Sequence, residues 1–212
     1  MSFSRPQPEI RSRRTPRQHR SVMTVDAILE AAATLFARDG FERASTTRIA
    51  ELAGVSVGSL YEYFSNKDSL LAYLIKRHCD QMLEHVAQRL QAMPERQVMA
   101  ALAVFIDSIH ESYAINIPLQ RVLIEHLGRI SKPHHFERVS GALISLLEEH
   151  LHGCAEELSG ANVRRALYVV ECIVESLIHR SILFDAHFFH CELKEQLLTM
   201  SANCLGLATA RN

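Results

Sequence analysis

The chain has 212 residues, is 48% hydrophobic and carries only 8 Gly and 6 Pro. Its apolar residues recur at helical rather than alternating spacing, so we expect an all-α protein with a sizeable core. No apolar run reaches the ~18 residues that a membrane span needs, which excludes a transmembrane protein and favours a cytoplasmic one.

The net charge of −1 conceals an asymmetry along the chain. Residues 1–67 carry 10 Lys and Arg against 7 Asp and Glu, whereas residues 68–212 carry 13 against 17. Residues 1–20 alone hold six Arg against Glu9 and too few apolar residues to pack, which predicts a disordered basic arm. The arm either lies along DNA or serves only as a solubilising leader. A basic N-terminal part followed by an acidic remainder is typical of a nucleic-acid-binding module joined to a body that does not bind DNA.

The first helix is predicted over about residues 24–38, where Asp39 and Gly40 end it. Two short helices follow. Ser45 is a candidate N-cap for the first of them, Gly54 supplies the left-handed backbone of a tight turn, and Ser56 is a candidate N-cap for a second helix that runs to about Phe64. This is the layout of a helix-turn-helix, which predicts double-stranded DNA as the ligand. One such corner reads only a few base pairs, so we expect a homodimer on a palindromic site.

A long helix is predicted to begin after Asn66, with Asp68 in its first turn, and to end before Pro94. The rest of the chain reads as five further helices. The last two are apolar on more than one side, which favours burial against a partner. The expected ranges of the five are 95–114, 118–131, 134–153, 161–184 and 188–207.

The combination Ile-Ala-Glu-Leu-Ala-Gly-Val-Ser-Val-Gly-Ser-Leu-Tyr-Glu-Tyr-Phe-Ser-Asn-Lys-Asp-Ser-Leu-Leu, from Ile49 to Leu71, closely resembles the tetracycline-repressor (TetR) family of bacterial transcriptional regulators. The resemblance covers about residues 22–75. It implies a three-helix DNA-binding head over residues 21–75, and a ligand-binding helical bundle over 76–212 that dimerises through its last two long helices. It further implies a repressor that a small-molecule effector releases from its operator. No cofactor is expected.

The resemblance also assigns candidate DNA contacts by position. In the first short helix they are hydroxyls for phosphates. Arg48 lies next to this surface and is a further candidate, for a guanine or a phosphate. The start of the second short helix faces the major groove, and two tyrosines and a lysine hold phosphates. The tyrosines have an alternative as core residues, but Leu60 and Phe64 already fill the inward stripe. The full set is Ser45, Thr46, Thr47, Arg48, Ser56, Val57, Gly58, Ser59, Tyr61, Tyr63 and Lys67.

Candidate effector residues in the body are equally well explained as plain core. They are Phe105, Ile109, Tyr113, Leu123, Phe136, Tyr168 and Cys172. Twelve His do not converge at metal-ligand spacing, so no metal site is predicted. The five Cys lack paired spacing and are expected to be reduced and mostly buried, with Cys79 and Cys191 as alternative redox-sensitive positions.

Three other functions compete with an inducible repressor. An enzyme is disfavoured, because the sequence has neither a nucleophile–base pair nor a phosphate-binding loop. A DNA-binding architectural or division-control factor of the same fold remains an alternative, as does a transcriptional activator.

Overall fold

The computed structural model describes residues 19–93, 97–130, 133–152, 158, 163–184 and 191–207. This part of the chain is helical and contains no β-strand, which confirms the all-α prediction. Residues 1–18 of the predicted arm lie outside the described residues. The helices are α1 His19–Asp39, α2 Thr46–Leu52, α3 Val57–Tyr63, α4 Lys67–Gln91, α5 Val98–Ala114, α6 Ile117–Ile130, α7 Pro133–Leu151, α8 Val163–Phe184 and α9 Cys191–Cys204.

Contacts between Cα atoms group the chain into two compact units. The head unit comprises residues up to 78 together with 116–132, and the body unit comprises 79–115 and 133–212. The predicted functional boundary at residue 75 stays a prediction, and in the packing the chain first leaves the head unit after residue 78. Helix α6 packs on α1 and belongs to the head unit, although it lies far along the chain.

The head unit is built around a small apolar core beneath α2 and α3. Ile49 of α2 and Leu60 of α3 are fully buried, as are Ile28 and Phe36 of α1 and Phe64. Each such side chain stabilises the fold by about 1.5–3 kcal/mol relative to an exposed one. The inward positions predicted for Leu60 and Phe64 are confirmed.

Local hydrogen bonds fix the ends of the short helices. The Ser45 hydroxyl accepts from the backbone N–H of Arg48 at 3.3 Å, and the Ser56 hydroxyl accepts from that of Ser59 at 3.0 Å. Both predicted N-caps are therefore confirmed. At the start of α4, the Asn66 side chain accepts from the Ser69 N–H at 2.8 Å and thereby caps that helix.

The corner between α2 and α3 has the hydrogen bonds of a Schellman motif. The N–H of Gly54 donates to the Glu51 carbonyl at 3.1 Å, and the N–H of Val55 donates to the Ala50 carbonyl at 3.0 Å. Gly54 itself has φ +69°, in the left-handed region that other residues adopt only with strain. The turn that orients α3 relative to α2 therefore depends on this glycine.

The body unit packs α5 against α7, α8 and α9, with α8 in contact with both α7 and α9. Its fully buried side chains include Leu102, Phe105 and Ile106 of α5 and Leu147 of α7. The five predicted body helices are all present, and their ends differ from the expected ones by three residues at most. On α8 and α9, large apolar side chains remain exposed: Tyr168, Val169, Phe184 and Met200.

We predict that Gly54→Ala lowers the free energy of unfolding by about 1–2 kcal/mol, because alanine adopts a left-handed backbone only at a cost. The added Cβ has nothing within 4 Å, so steric overlap does not contribute. Urea unfolding followed by far-UV circular dichroism measures the change. Gly58→Ala is the matched control, since Gly58 is helical and the nearest atom to its added Cβ is the Ser56 Oγ at 3.6 Å. Equal stabilities of the two variants would contradict the assignment of strain to Gly54.

Candidate nucleic-acid interface

The start of α3 exposes short side chains to solvent. Ser56, Val57 and Gly58 are exposed, with Val57 at 37%, and Ser59 is half-buried. The hydroxyls of Ser56 and Ser59 lie 2.9 Å apart and share a hydrogen bond. This surface offers the two methyl groups of Val57, the hydroxyls of the two serines and the bare backbone of Gly58. Such a surface suits close approach to base edges rather than long bidentate contacts.

The exposed residues of α2 lie beside this surface. Ser45 and Thr47 are exposed and Thr46 is half-buried. The Thr46 Oγ1 shares a hydrogen bond of 3.0 Å with the hydroxyl of Tyr61, which is itself exposed. This bond links α2 to α3 across the corner and brings two predicted DNA contacts into one patch.

Tyr63 differs from Tyr61 in its surroundings. It is half-buried at the end of α3, and its hydroxyl has no hydrogen-bond partner among the described residues. A phenol that is oriented by partial burial and whose hydroxyl is open keeps its donor available for an external acceptor. Its predicted phosphate contact is compatible with this position and stays a prediction.

Arg48 is paired within the head. Its Nη2 lies 2.7 Å from the Asp39 Oδ2, and Arg38 also donates to the Asp39 carboxylate, at 2.9 Å. The hydrogen bond from Arg38, followed by those from Arg48, lowers the pKa of Asp39 to about 2. The guanidinium of Arg48 is about half exposed, and exposed pairs contribute only ~0–1 kcal/mol. A phosphate or guanine would therefore displace Asp39 at little cost.

Lys67 is engaged more fully than the sequence indicated. Its Nζ donates to the backbone carbonyls of Phe41 at 2.6 Å, Ala44 at 3.1 Å and Glu42 at 3.2 Å. Three acceptors use all three N–H groups of an ammonium. The phosphate contact predicted for Lys67 stays a prediction, and it requires the ammonium to exchange one of these carbonyls.

The candidate effector residues do not form one group. Phe105, Ile109 and Tyr113 are buried on α5, whereas Tyr168 and Cys172 are exposed on α8. Leu123 is buried on α6 in the head unit. The side chain of Phe136 lies outside the described residues. Among the candidates in the body unit, only the three α5 residues are buried, as residues that line an enclosed effector pocket would be.

Beside Tyr113, the body unit contains polar side chains that sequence reasoning missed. Glu171 is buried and accepts from the Ser140 hydroxyl at 2.6 Å. One turn further along α8 lies Glu175, and after another turn His179, whose Nε2 shares a hydrogen bond of 2.9 Å with the Tyr113 hydroxyl. Their i, i+4, i+8 spacing was visible in the sequence, although it does not reveal which face of α8 is inward.

Burial shifts the pKa values of two of these groups in opposite directions. Burial, followed by the charge of Glu171, raises the pKa of Glu175 from 4.5 to about 7. Burial lowers the pKa of His179 from 6.5 to about 4, so its imidazole is neutral near pH 7. Glu171, Glu175 and His179 thus form a polar stripe along α8.

Three of the five cysteine side chains, those of Cys79, Cys172 and Cys204, lie in the described part of the chain. Cys79 is half-buried and Cys172 and Cys204 are exposed, so the expectation of mostly buried thiols is wrong for these three. Cys154 and the side chain of Cys191 lie outside the described residues. Within the described part of the chain, His, Cys, Asp and Glu form no group that could hold a metal ion.

The head matches a known protein family. The profile of the tetR family of bacterial regulatory proteins matches residues 28–74, which run from α1 into α4 and include the whole helix-turn-helix. Over these residues the chain carries the sequence pattern of the tetR family.

Known transcription regulators resemble this chain over different lengths. The transcriptional activator FasR of Mycolicibacterium smegmatis is 34% identical over 105 residues, which are 48% of this chain and 46% of FasR. This chain thus matches about half the length of that relative. The transcriptional repressor AcnR of Corynebacterium diphtheriae is 27% identical over 171 residues, which are 70% of this chain and 90% of AcnR.

A solved structure shows that the fold extends past the head. The fatty acid degradation regulator FadR from Bacillus halodurans superposes with a TM-score of 0.64 at 19% identity, over 89% of this chain and 97% of FadR. The relatives named above are described as transcription regulators. No single helix in the described ranges is long and apolar enough to span a membrane, and α5 with α6 meets that test only as a sharply bent pair.

We predict opposite pH dependences for two variants of the polar stripe. Between about pH 4.5 and 7 the unfolded chain has lost the Glu175 proton while the folded chain retains it. The contribution of Glu175 to the free energy of unfolding of the wild type therefore falls as pH rises. Glu175→Gln removes that fall. The stability of Glu175→Gln minus that of wild type therefore increases from pH 4.5 to 7.

His179→Gln is the control with the opposite sign. Between about pH 4 and 6.5 the unfolded chain holds the His179 proton and the folded chain does not, so this group adds stability as pH rises. The stability of His179→Gln minus that of wild type therefore decreases over that window. Urea unfolding at a series of pH values measures both differences, and parallel pH profiles for all three proteins would contradict the burial of these groups.

Proposed function

We propose that this tetR-family regulator is a homodimeric transcriptional repressor that binds a palindromic operator and leaves it when a small-molecule effector binds the body unit. The observation that carries the proposal is the patch formed by the exposed start of α3 and the exposed hydroxyls of α2. Its proposed direct contacts are Ser45, Thr46, Thr47, Arg48, Ser56, Val57, Gly58, Ser59, Tyr61 and Tyr63, with Lys67 at its edge.

Binding to bases requires that α3 enter the major groove with its capped end first. Val57 then meets thymine methyl groups, and the Ser59 hydroxyl donates to or accepts from a base edge. Because α3 carries no Arg, Asn or Gln, affinity depends mainly on phosphate contacts, to which Tyr61, Tyr63 and the arginines of residues 1–20 contribute.

Dimerisation is supported by the exposed apolar side chains of the last two helices. Tyr168 and Phe184 of α8 are 57% and 76% exposed, and Val169 of α8 and Met200 of α9 are exposed as well. Large apolar groups of this kind on two packed helices favour an interface between two copies of the chain. A two-fold dimer presents two heads to two half-sites.

Release by an effector is proposed for the body unit because groups of contrasting chemistry lie close together there. Phe105 and Ile109 are apolar, whereas Tyr113, His179 and Glu175 are polar. An effector that favours a dimer conformation unsuited to the operator weakens DNA binding. Bound DNA weakens effector binding by the same coupling free energy. We place this activity in the cytoplasm, with DNA as the partner.

An activator is the second candidate, because FasR, at 34% identity, carries that description while AcnR is described as a repressor. The head uses the same DNA contacts in both cases. The two functions differ in the position of the operator relative to the promoter.

Selection of genomic fragments by the purified full-length protein, at near-physiological salt, tests the proposal. We expect a palindromic motif at a few promoters, with half-sites about 34–36 Å apart or a multiple of that distance. Motifs that overlap the promoter indicate repression, and motifs upstream of it indicate activation. Enrichment without a motif would contradict sequence-specific regulation and favour the architectural alternative.

Two variants of the head separate phosphate contacts from base contacts. We predict that Tyr63→Phe weakens binding to the selected operator and to its single-base-pair variants alike, by about tenfold, because it loses a hydrogen bond to a charged group. Ser59→Ala instead changes the ranking of those duplexes, since base contacts discriminate by about 1–3 kcal/mol. Fluorescence anisotropy titrations measure both. A changed ranking with Tyr63→Phe, or an unchanged one with Ser59→Ala, would contradict the proposed placement of α3.

A further inference from the structure

The aromatic ring of Phe41 is surrounded by residues from three helices. Phe41 lies in the turn between α1 and α2 and is 5% exposed. Its ring centroid lies 5.3 Å from that of Phe36 on α1 and 4.6 Å from that of His126 on α6. The turn before α2 is therefore attached to α6 as well as to α1.

Two cations lie close to the same ring. The Lys67 Nζ is 4.2 Å from the ring centroid, and the Arg129 guanidinium carbon is 5.1 Å from it. Both distances fall within the ~6 Å range of a cation–π interaction. Lys67 is the first residue of α4 and Arg129 is near the end of α6, so Phe41 joins these two helices.

An acidic side chain offsets the repulsion between the two cations. The Arg129 Nη1 lies 3.0 Å from the Asp68 Oδ1 and donates to the Oδ2 at 3.1 Å. Asp68 follows Lys67 in the first turn of α4, where a carboxylate also interacts favourably with the helix dipole. Phe41, Lys67, Asp68, His126 and Arg129 form what we call the Phe41 cluster.

The position of the Phe41 cluster gives it influence over α2. The carbonyls that Lys67 binds belong to Phe41, Glu42 and Ala44, and Ala44 immediately precedes the Ser45 cap. A displacement of these residues shifts the exposed start of α2, which holds Thr46 and Thr47. The cluster thus fixes part of the DNA-binding patch.

We propose that Arg129 is a positioning residue for DNA binding, which holds the turn before α2 in place through Phe41 and Asp68. The inference rests on the proposed function of the head. It assigns to α6, a helix with no residue in the proposed DNA-binding patch, a defined effect on operator affinity. Arg129 acts without contacting phosphate.

The test compares three variants of α6 in operator binding by fluorescence anisotropy, with the duplex obtained from the fragment selection and at several salt concentrations. Arg129→Gln removes the charge, Arg129→Lys retains it, and Arg121→Gln removes a charge from an exposed position of the same helix. We expect Arg129→Gln to bind about fivefold to tenfold more weakly. Arg129→Lys recovers most of the affinity, and Arg121→Gln binds as wild type does.

The salt dependence distinguishes positioning from direct contact. Substitution of a positioning residue leaves the slope of log K against log salt unchanged, whereas substitution of a residue that binds phosphate flattens the slope by about one. A flattened slope with Arg129→Gln would overturn the proposal. Wild-type affinity in Arg129→Gln, or an equal loss in Arg121→Gln, would do so too.

Amide hydrogen exchange on the free protein gives a readout that needs no DNA. We expect faster exchange at residues 42–48 in Arg129→Gln than in wild type, with an unchanged far-UV spectrum that shows the fold is intact. Unchanged exchange would overturn the positioning role. A wild-type protein that binds no duplex would refute the proposed function itself, and the exchange data would still report whether Arg129 holds the turn.

Discussion

A helix of seven residues is not stable on its own in water, because helices shorter than about 12 residues are marginal without tertiary contacts. Helices α2 and α3 are of that length. They keep their form because Ile49 and Leu60 are fully buried and because serines cap both N-termini. The proposed DNA-binding patch is therefore only as well ordered as the core beneath it.

This constraint explains how much of the head was predictable from the sequence. The caps, the Gly54 turn and the inward positions of Leu60 and Phe64 follow from local chemistry, since each involves residues within four or five positions of one another. The ends of α1 and α4 follow from Asp39-Gly40 and Pro94 for the same reason. Local signals of this kind do not depend on how the rest of the chain is arranged.

The contacts that join distant parts of the chain were not predictable. No pattern in the sequence indicates that α6 packs on α1, or that Arg129 reaches Phe41, because the partners are more than 80 residues apart. For Lys67, its type and position suggested a phosphate contact, while the carbonyls it binds are backbone groups that carry no residue-specific signal. The polar stripe of α8 was missed because an apolar helix with two glutamates reads as amphipathic with the glutamates outside, and Glu171 is inside.

The connectivity also limits how an effector can act on the head. The chain passes between the two units within α4, between α5 and α6, and between α6 and α7. Two of these three passages involve α6, which ends near Arg129. Since coupling requires an element that both sites bias, α6 and α4 are the physical candidates.

The Phe41 cluster contains the ends of both helices, so a shift of either one changes the support of the turn before α2. A coupling of 1–3 kcal/mol, typical of allosteric proteins, is about the scale of the ion pair and cation–π contacts gathered there. The same weak contacts that position α2 are therefore of the right size to transmit the proposed release.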